Sequence, residues 1–219
     1  MANPTIVLIH GAFGDGSSWR PVFDRLVGDG HTVLAPPNPL RGLPYDASYT
    51  ASVIDQLDGP VVLVGHSYGG MVITGAAARA HARISRLVYL DGFVPEDGQS
   101  FFDLLLPARR KAYEEATSGG VVVPPEPEVF GVVGDRAAWV SDRLTAHPLA
   151  SLTEPLAVPA FPPLARQYVR CTQGPLTPSF SGFAVRLRDT AGWDVVDFDA
   201  PHDAMVTHPT DLAALLAVG

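Results

Sequence analysis

A chain of 219 residues, 47% hydrophobic and only 17% charged, has the length and apolar content for one full core. Its net charge is −8, and the one basic cluster, Arg109-Arg110-Lys111, reads as a solvated helix face, so nucleic acid is not an expected partner. The single cysteine, Cys171, rules out an internal disulfide, and a run of about 18 apolar residues that could span a bilayer is missing.

Short apolar runs alternate with helical patterns, which predicts an α/β fold with a mostly parallel sheet of about six strands and helices on both faces. Thr5–Ile9 reads as a buried strand, Ser18–Gly28 as a helix, and Thr32–Ala35 as a second strand before a proline-rich loop. No basic segment precedes Thr5–Ile9 as a secretory leader would require, so the expected address is the cytoplasm. Ala47–Leu57 follows as a helix, Val61–Val64 as the central strand, Met71–His81 as a small-residue helix and Leu87–Leu90 as the next strand. The alternation then stops. From 95 to 163 the sequence offers helical stretches at Phe101–Thr117 and Arg136–Leu144 joined by proline-rich loops, which predicts a helical cap over one edge of the sheet. The pattern resumes with strand Gln167–Cys171, a helix near Ser179–Leu187, strand Asp194–Phe198 and helix Thr210–Leu216. The expected organisation is a single domain over 1–219, with a core from 1–94 and 164–219 and the cap at 95–163.

The strongest chemical signal is Val61-Val62-Leu63-Val64-Gly65-His66-Ser67-Tyr68-Gly69-Gly70, a strand that enters G-x-S-x-G and leaves as a helix. A sharp turn of this kind strains the serine backbone and lifts its hydroxyl above the sheet, so Ser67 is the candidate nucleophile, expected to stand exposed. The segment His10-Gly11-Ala12-Phe13-Gly14 leaves the first strand on the edge where ligands bind in parallel sheets. The amides of Ala12 and Tyr68 are therefore candidates for an oxyanion hole. A serine needs a base, and of seven histidines His202 lies where the last strand gives way to the last helix. His10 and His66 belong to the other motifs, and His31, His81, His147 and His208 fall elsewhere. Phe13, Phe93, Phe101, Leu105 and Trp139 are candidates for an apolar substrate pocket beneath the cap. No H-e-x-x-H, paired-cysteine site, Walker loop or dinucleotide fingerprint occurs, so neither a metal nor a cofactor is expected.

These phrases resemble the small α/β-hydrolases that include EstC-like bacterial esterases, plant methyl-salicylate esterases and plant hydroxynitrile lyases. The resemblance runs over nearly the whole chain. It rests on HGAFGDGSSW, LVGHSYGGMV, LVYLDGFVPEDGQS, AWVSDRLTAHPLASLTEPL, YVRCTQ and HDAMVTHP. It implies an α/β-hydrolase fold, Ser67 as nucleophile, His202 as base and the Ala12 and Tyr68 amides as oxyanion hole. The group places an acid after the YVRCTQ strand, and here that position is Gly174. Loss of the acid from a triad costs about four orders of magnitude in rate, because the imidazole takes the wrong tautomer. Asp91, at the end of its strand, is the leading substitute. Asp199, Asp203 and a water-supported Ser–His dyad stay open. Hydroxynitrile lyases carry lysine after the histidine, where this chain has Asp203, which disfavours cyanohydrin cleavage. The expected activity is hydrolysis of a small apolar ester, thioester or lactone. The rivals are a non-hydrolytic lyase, cyclase or acyl-transfer enzyme of secondary metabolism, and a degenerate ligand-binding protein.

Overall fold

The computed structural model describes residues 4–158 and 163–218. Its strands are β1 (Thr5–Ile9), β2 (Val33–Leu34), β3 (Val61–His66), β4 (Ile84–Leu90), β5 (Thr117–Ser118), β6 (Val121–Val122), β7 (His147–Pro148), β8 (Ala165–Cys171) and β9 (Trp193–Phe198). The helices are α1 (Arg20–Gly28), α2 (Leu43–Asp55), α3 (Gly69–Ala80), α4 (Pro107–Glu115), α5 (Asp135–Ser141), α6 (Leu149–Thr153), α7 (Thr177–Arg188), α8 (Ala204–Thr207) and α9 (Pro209–Ala217).

Six strands form one sheet in the order β2-β1-β3-β4-β8-β9, and every described pairing in it is parallel. Parallel strands are covered on both faces, and β1 and β3 are accordingly buried throughout, with Thr5 and His66 at their ends as the polar exceptions. Helix α1 packs against α9, and α2 packs against α3. The order places β3 between β1 and β4, so three strand ends converge: the turn after Ile9, the turn at Ser67 and the turn at Asp91. That convergence positions the site.

Closeness here depends on a missing side chain. A Cβ on Gly69 would lie 2.6 Å from the Ile9 carbonyl oxygen and 2.9 Å from that of His10, both fixed backbone. Gly69→Ala is therefore expected to cost about 2–4 kcal/mol of stability through overpacking. Urea unfolding measures this, and a loss below about 0.5 kcal/mol would mean that the turn after β1 yields freely.

Several element bounds differ from expectation for local reasons. The helix expected from Ser18 begins as a 3₁₀ turn over Gly16–Trp19, capped by the Asp15 carboxylate accepting from the Ser17 amide at 2.7 Å, and becomes α-helical at Arg20. Helix α2 starts at Leu43, ahead of Ala47, with Pro44 in its first turn, where the missing amide costs nothing. The stretch Phe101–Thr117 is not one helix. Pro107 forces Leu106 into an extended conformation (ψ 144°), which leaves a 3₁₀ turn at Phe102–Leu104 and a separate α4. The expected cap also contains a small antiparallel sheet, β5-β6-β7, turned by Gly119 and Gly120 with φ of 59° and 81°. Residues 159–162 of that segment lie outside the described residues.

Candidate active site

Strand β3 ends in a turn that holds Ser67 at φ 53°, a left-handed conformation that a non-glycine residue adopts at a cost. The neighbouring chain fixes it. Ser67 donates its amide to the Leu90 carbonyl at 3.3 Å, and its own carbonyl accepts from Gly70 at 2.9 Å and Phe93 at 3.1 Å. The sequence suggested an exposed serine, but Ser67 retains only 8% of its surface, because the segment 95–158 covers the sheet edge. It opens instead into a cavity that His202 also lines.

His202 and Asp91 meet directly. The imidazole Nδ1 lies 2.7 Å from Asp91 Oδ2, and the other carboxylate oxygen accepts from the Cys171 amide at 3.1 Å. Asp91 is itself left-handed, with φ 42°, and donates its amide to the Val169 carbonyl at 2.7 Å. Both partners are buried. Burial pushes the Asp91 carboxyl up and the imidazole down, so the contact is built from two groups removed from water. With the proton on Nδ1 facing the carboxylate, Nε2 carries the lone pair. Phe180 stacks on the ring at 4.8 Å between centroids and restricts its rotation.

Gly174 sits in the loop after β8 with φ 88°, and a Cβ there would have Pro201 Cβ at 3.5 Å, Gly131 Cα at 3.9 Å and Pro201 Cα at 4.0 Å as its nearest neighbours, all ordinary contacts. The position faces the loop that carries His202, with room for a side chain. The other carboxylates weighed from the sequence go elsewhere. Asp199 accepts from Gln173 at 2.7 Å and Thr172 at 3.3 Å. Asp203 lines the cavity, and its carboxylate lies 3.7 Å from His66 Nε2.

The turn after β1 is held by an unanticipated set of contacts. His10 Nδ1 faces the Gly11 carbonyl at 2.8 Å, while Nε2 accepts from the Asn38 amide at 2.9 Å, which fixes one tautomer. Burial lowers the pKa of this ring and keeps it neutral. Further along, the Phe13 carbonyl accepts from Thr145 at 2.8 Å. Tyr68 is held from its other end, its hydroxyl donating to Asp46 Oδ2 at 2.9 Å. Ala12 is thereby kept beside the turn at Ser67, on the cavity wall. Among the described residues, neither the Ala12 nor the Tyr68 amide takes part in the main-chain hydrogen bonding of the turns.

Phe13, Phe93, Phe101, Leu105 and Trp139 all lie on the cavity wall, joined by Tyr113, Phe130, Leu176 and Phe180. The latter four carry no sequence motif; only the packing of 95–158 and α7 over the sheet edge brings them in. Arg109 is the surprise. Arg110 and Lys111 pair with Glu114 and Glu115 one turn on, but Arg109 points to the cavity, so the basic cluster is not wholly a solvated face.

Among the described residues, His66, His202 and Asp203 could approach a shared metal ion, with ligand atoms within 4.8 Å of one another. His66 Nε2, however, lies 3.1 Å from the His202 carbonyl and donates to it, so that atom has no lone pair to offer. The grouping does not fit a metal centre. Nor is any helix among the described residues long and apolar enough to cross a membrane.

The alpha/beta hydrolase family model matches residues 6–215. The carbendazim hydrolyzing esterase of Nocardioides sp. (strain SG-4G) is 36% identical over 244 residues, covering 99% of both chains. Lipase LipV of Mycobacterium tuberculosis is 28% identical, covering 96% of this chain and 91% of the lipase. Among solved structures, an extracellular alpha/beta-hydrolase from a Paenibacillus species superposes with a TM-score of 0.84 at 25% identity over 97% of each chain. That structure is described as sharing structural and functional homology with tobacco salicylic acid binding protein 2.

Proposed function

Because the chain belongs to the alpha/beta hydrolase family and is a carboxylesterase-like hydrolase, we propose that it cleaves small, mostly apolar esters through an acyl-enzyme on Ser67. The observation that carries this reading is the buried 2.7 Å contact between His202 Nδ1 and Asp91 Oδ2 beside a cavity that Ser67 also lines. Asp91 holds the proton on Nδ1, so His202 Nε2 takes the Ser67 proton as the hydroxyl attacks the ester carbonyl. The Ala12 and Tyr68 amides receive the oxyanion, which is worth about 3–4 kcal/mol for each well-placed donor. His202 then protonates the leaving alcohol, and water, activated by the same imidazole, releases the acid and restores Ser67. Every step moves one proton through one ring.

The 2.7 Å contact by which Asp91 supplies His202 with a carboxylate from another strand favours hydrolysis over the non-hydrolytic alternative. The apolar wall favours aryl or alkyl acyl groups. The relative that hydrolyses carbendazim makes that compound one of the first to assay. A fluorophosphonate probe tests the reading: rapid stoichiometric labelling, mapped by peptide mass to Ser67, is expected. Slow labelling, or labelling at another serine, would remove Ser67 from the role.

A further inference from the structure

Of the ionisable groups on the cavity wall that ester hydrolysis leaves idle, Asp203 is the one that adjoins His202 in sequence. Asp203 stands at the N-cap of α8, where an aspartate ordinarily accepts from the helix's own first amides, yet it makes no capping bond. Its carboxylate lines the cavity beside Ser67 and His202, and its side chain is only 14% exposed. The facing donor, His66 Nε2, is 3.7 Å away, beyond hydrogen-bond reach, and is committed to the His202 carbonyl at 3.1 Å. The carboxylate opens to the cavity, and no described amide or side chain lies within hydrogen-bond distance of it, so the donor it can take is one that the cavity holds.

The charges around it define what that donor is. Burial, and then the charge of Asp91, push the Asp203 carboxyl up to about 7. His66 and His202 are kept neutral by burial. Arg109 and Arg143 line the same cavity from α4 and the turn after α5, and Arg109 acts on His202. The charge that acts on Asp203 is that of Asp91. Asp15 and Asp203 are the carboxylates on the cavity wall and Arg109 and Arg143 its guanidinium groups, and of these four Asp203 is the one beside His66 and next in sequence to His202.

We infer that Asp203 is a recognition group for a basic nitrogen, accepting the N–H of a protonated amine seated in the cavity next to Ser67. The inference rests on the hydrolytic reading only in making that amine part of an ester substrate; the site itself is a claim about binding. Benzylamine and its hydrocarbon isostere ethylbenzene, titrated calorimetrically into the intact protein at about pH 8, test it without turnover. Benzylamine is expected to bind about tenfold more tightly than ethylbenzene, the scale of one charge-assisted hydrogen bond. In Asp203→Asn the two affinities should come within about twofold. Taking the ratio within each protein cancels any general loosening, and Asp203→Glu, which keeps the charge, should retain part of the preference. Equal affinities in the unmodified protein, or a preference that survives in the Asn variant, would overturn the assignment. Failure of Ser67 labelling would leave this result standing, so the two readings fail separately.

Discussion

Ser67→Ala is expected to lower turnover of a reactive aryl ester by about a million-fold, as removal of a triad serine does elsewhere, while the fold survives. The left-handed backbone at φ 53° is held by main-chain bonds from Gly70 and Phe93 and to Leu90, none of which uses the hydroxyl. Alanine keeps all three and suffers the same conformational cost as serine, so the unfolding free energy should move by less than about 1 kcal/mol. Steady-state kinetics with thermal unfolding check both halves. A variant that folds normally and keeps more than a hundredth of the activity would remove covalent catalysis by Ser67, and the non-hydrolytic reading would then lead.

Asp91→Asn should cost about four orders of magnitude in kcat, with little change in KM. Asparagine tolerates the φ of 42°, and its carbonyl oxygen can still accept from Cys171. What it then turns toward His202 Nδ1 is an NH₂ group, which drives the ring proton to Nε2 and leaves no lone pair for Ser67. The loss is one of tautomer, not of packing. Adding Gly174→Asp to that variant should recover part of the loss, since the position faces the His202 loop and has room for a Cβ, at a backbone cost of about 1–2 kcal/mol. An Asn variant within tenfold of the unmodified enzyme would mean that Asp91 does not orient the base.

The elbow at Ser67 was legible because three levels agree there: an apolar strand, small residues at the turn, and a small-residue helix after it. His202 was legible from its place between the last strand and the last helix. Asp91 was legible only as the leading candidate acid, with Asp199, Asp203 and a dyad left open, because which carboxylate meets His202 depends on lateral order. Sequence says that Asp91 ends a strand, but only the sheet order says that β4 lies beside β3 and that the His202 loop reaches it. The cap was harder for a related reason. Two-residue strands such as β5 and β6 are too short to carry a period, and their one signal is the Gly119-Gly120 turn. The inward face of Arg109 depends on how α4 rests against the core, which its own i,i+4 charge pattern does not encode.

The register of two strands has a consequence for how activity appears as the chain folds. His66 pairs with Leu90, and the residue that follows each, Ser67 and Asp91, turns left-handed at the same height. Pairing β3 with β4 therefore sets two of the three groups of the proposed mechanism at once, from neighbouring stretches of chain expected to meet early because little loop entropy opposes them. His202 comes from the far end and arrives only when β8 and β9 have added to the sheet. On that mechanism competence is expected to be the last property acquired. During refolding, recovery of esterase activity should accordingly trail the main-chain signal of the sheet, and a ribosome-bound chain short of its last segment would carry a formed nucleophile turn that is still silent.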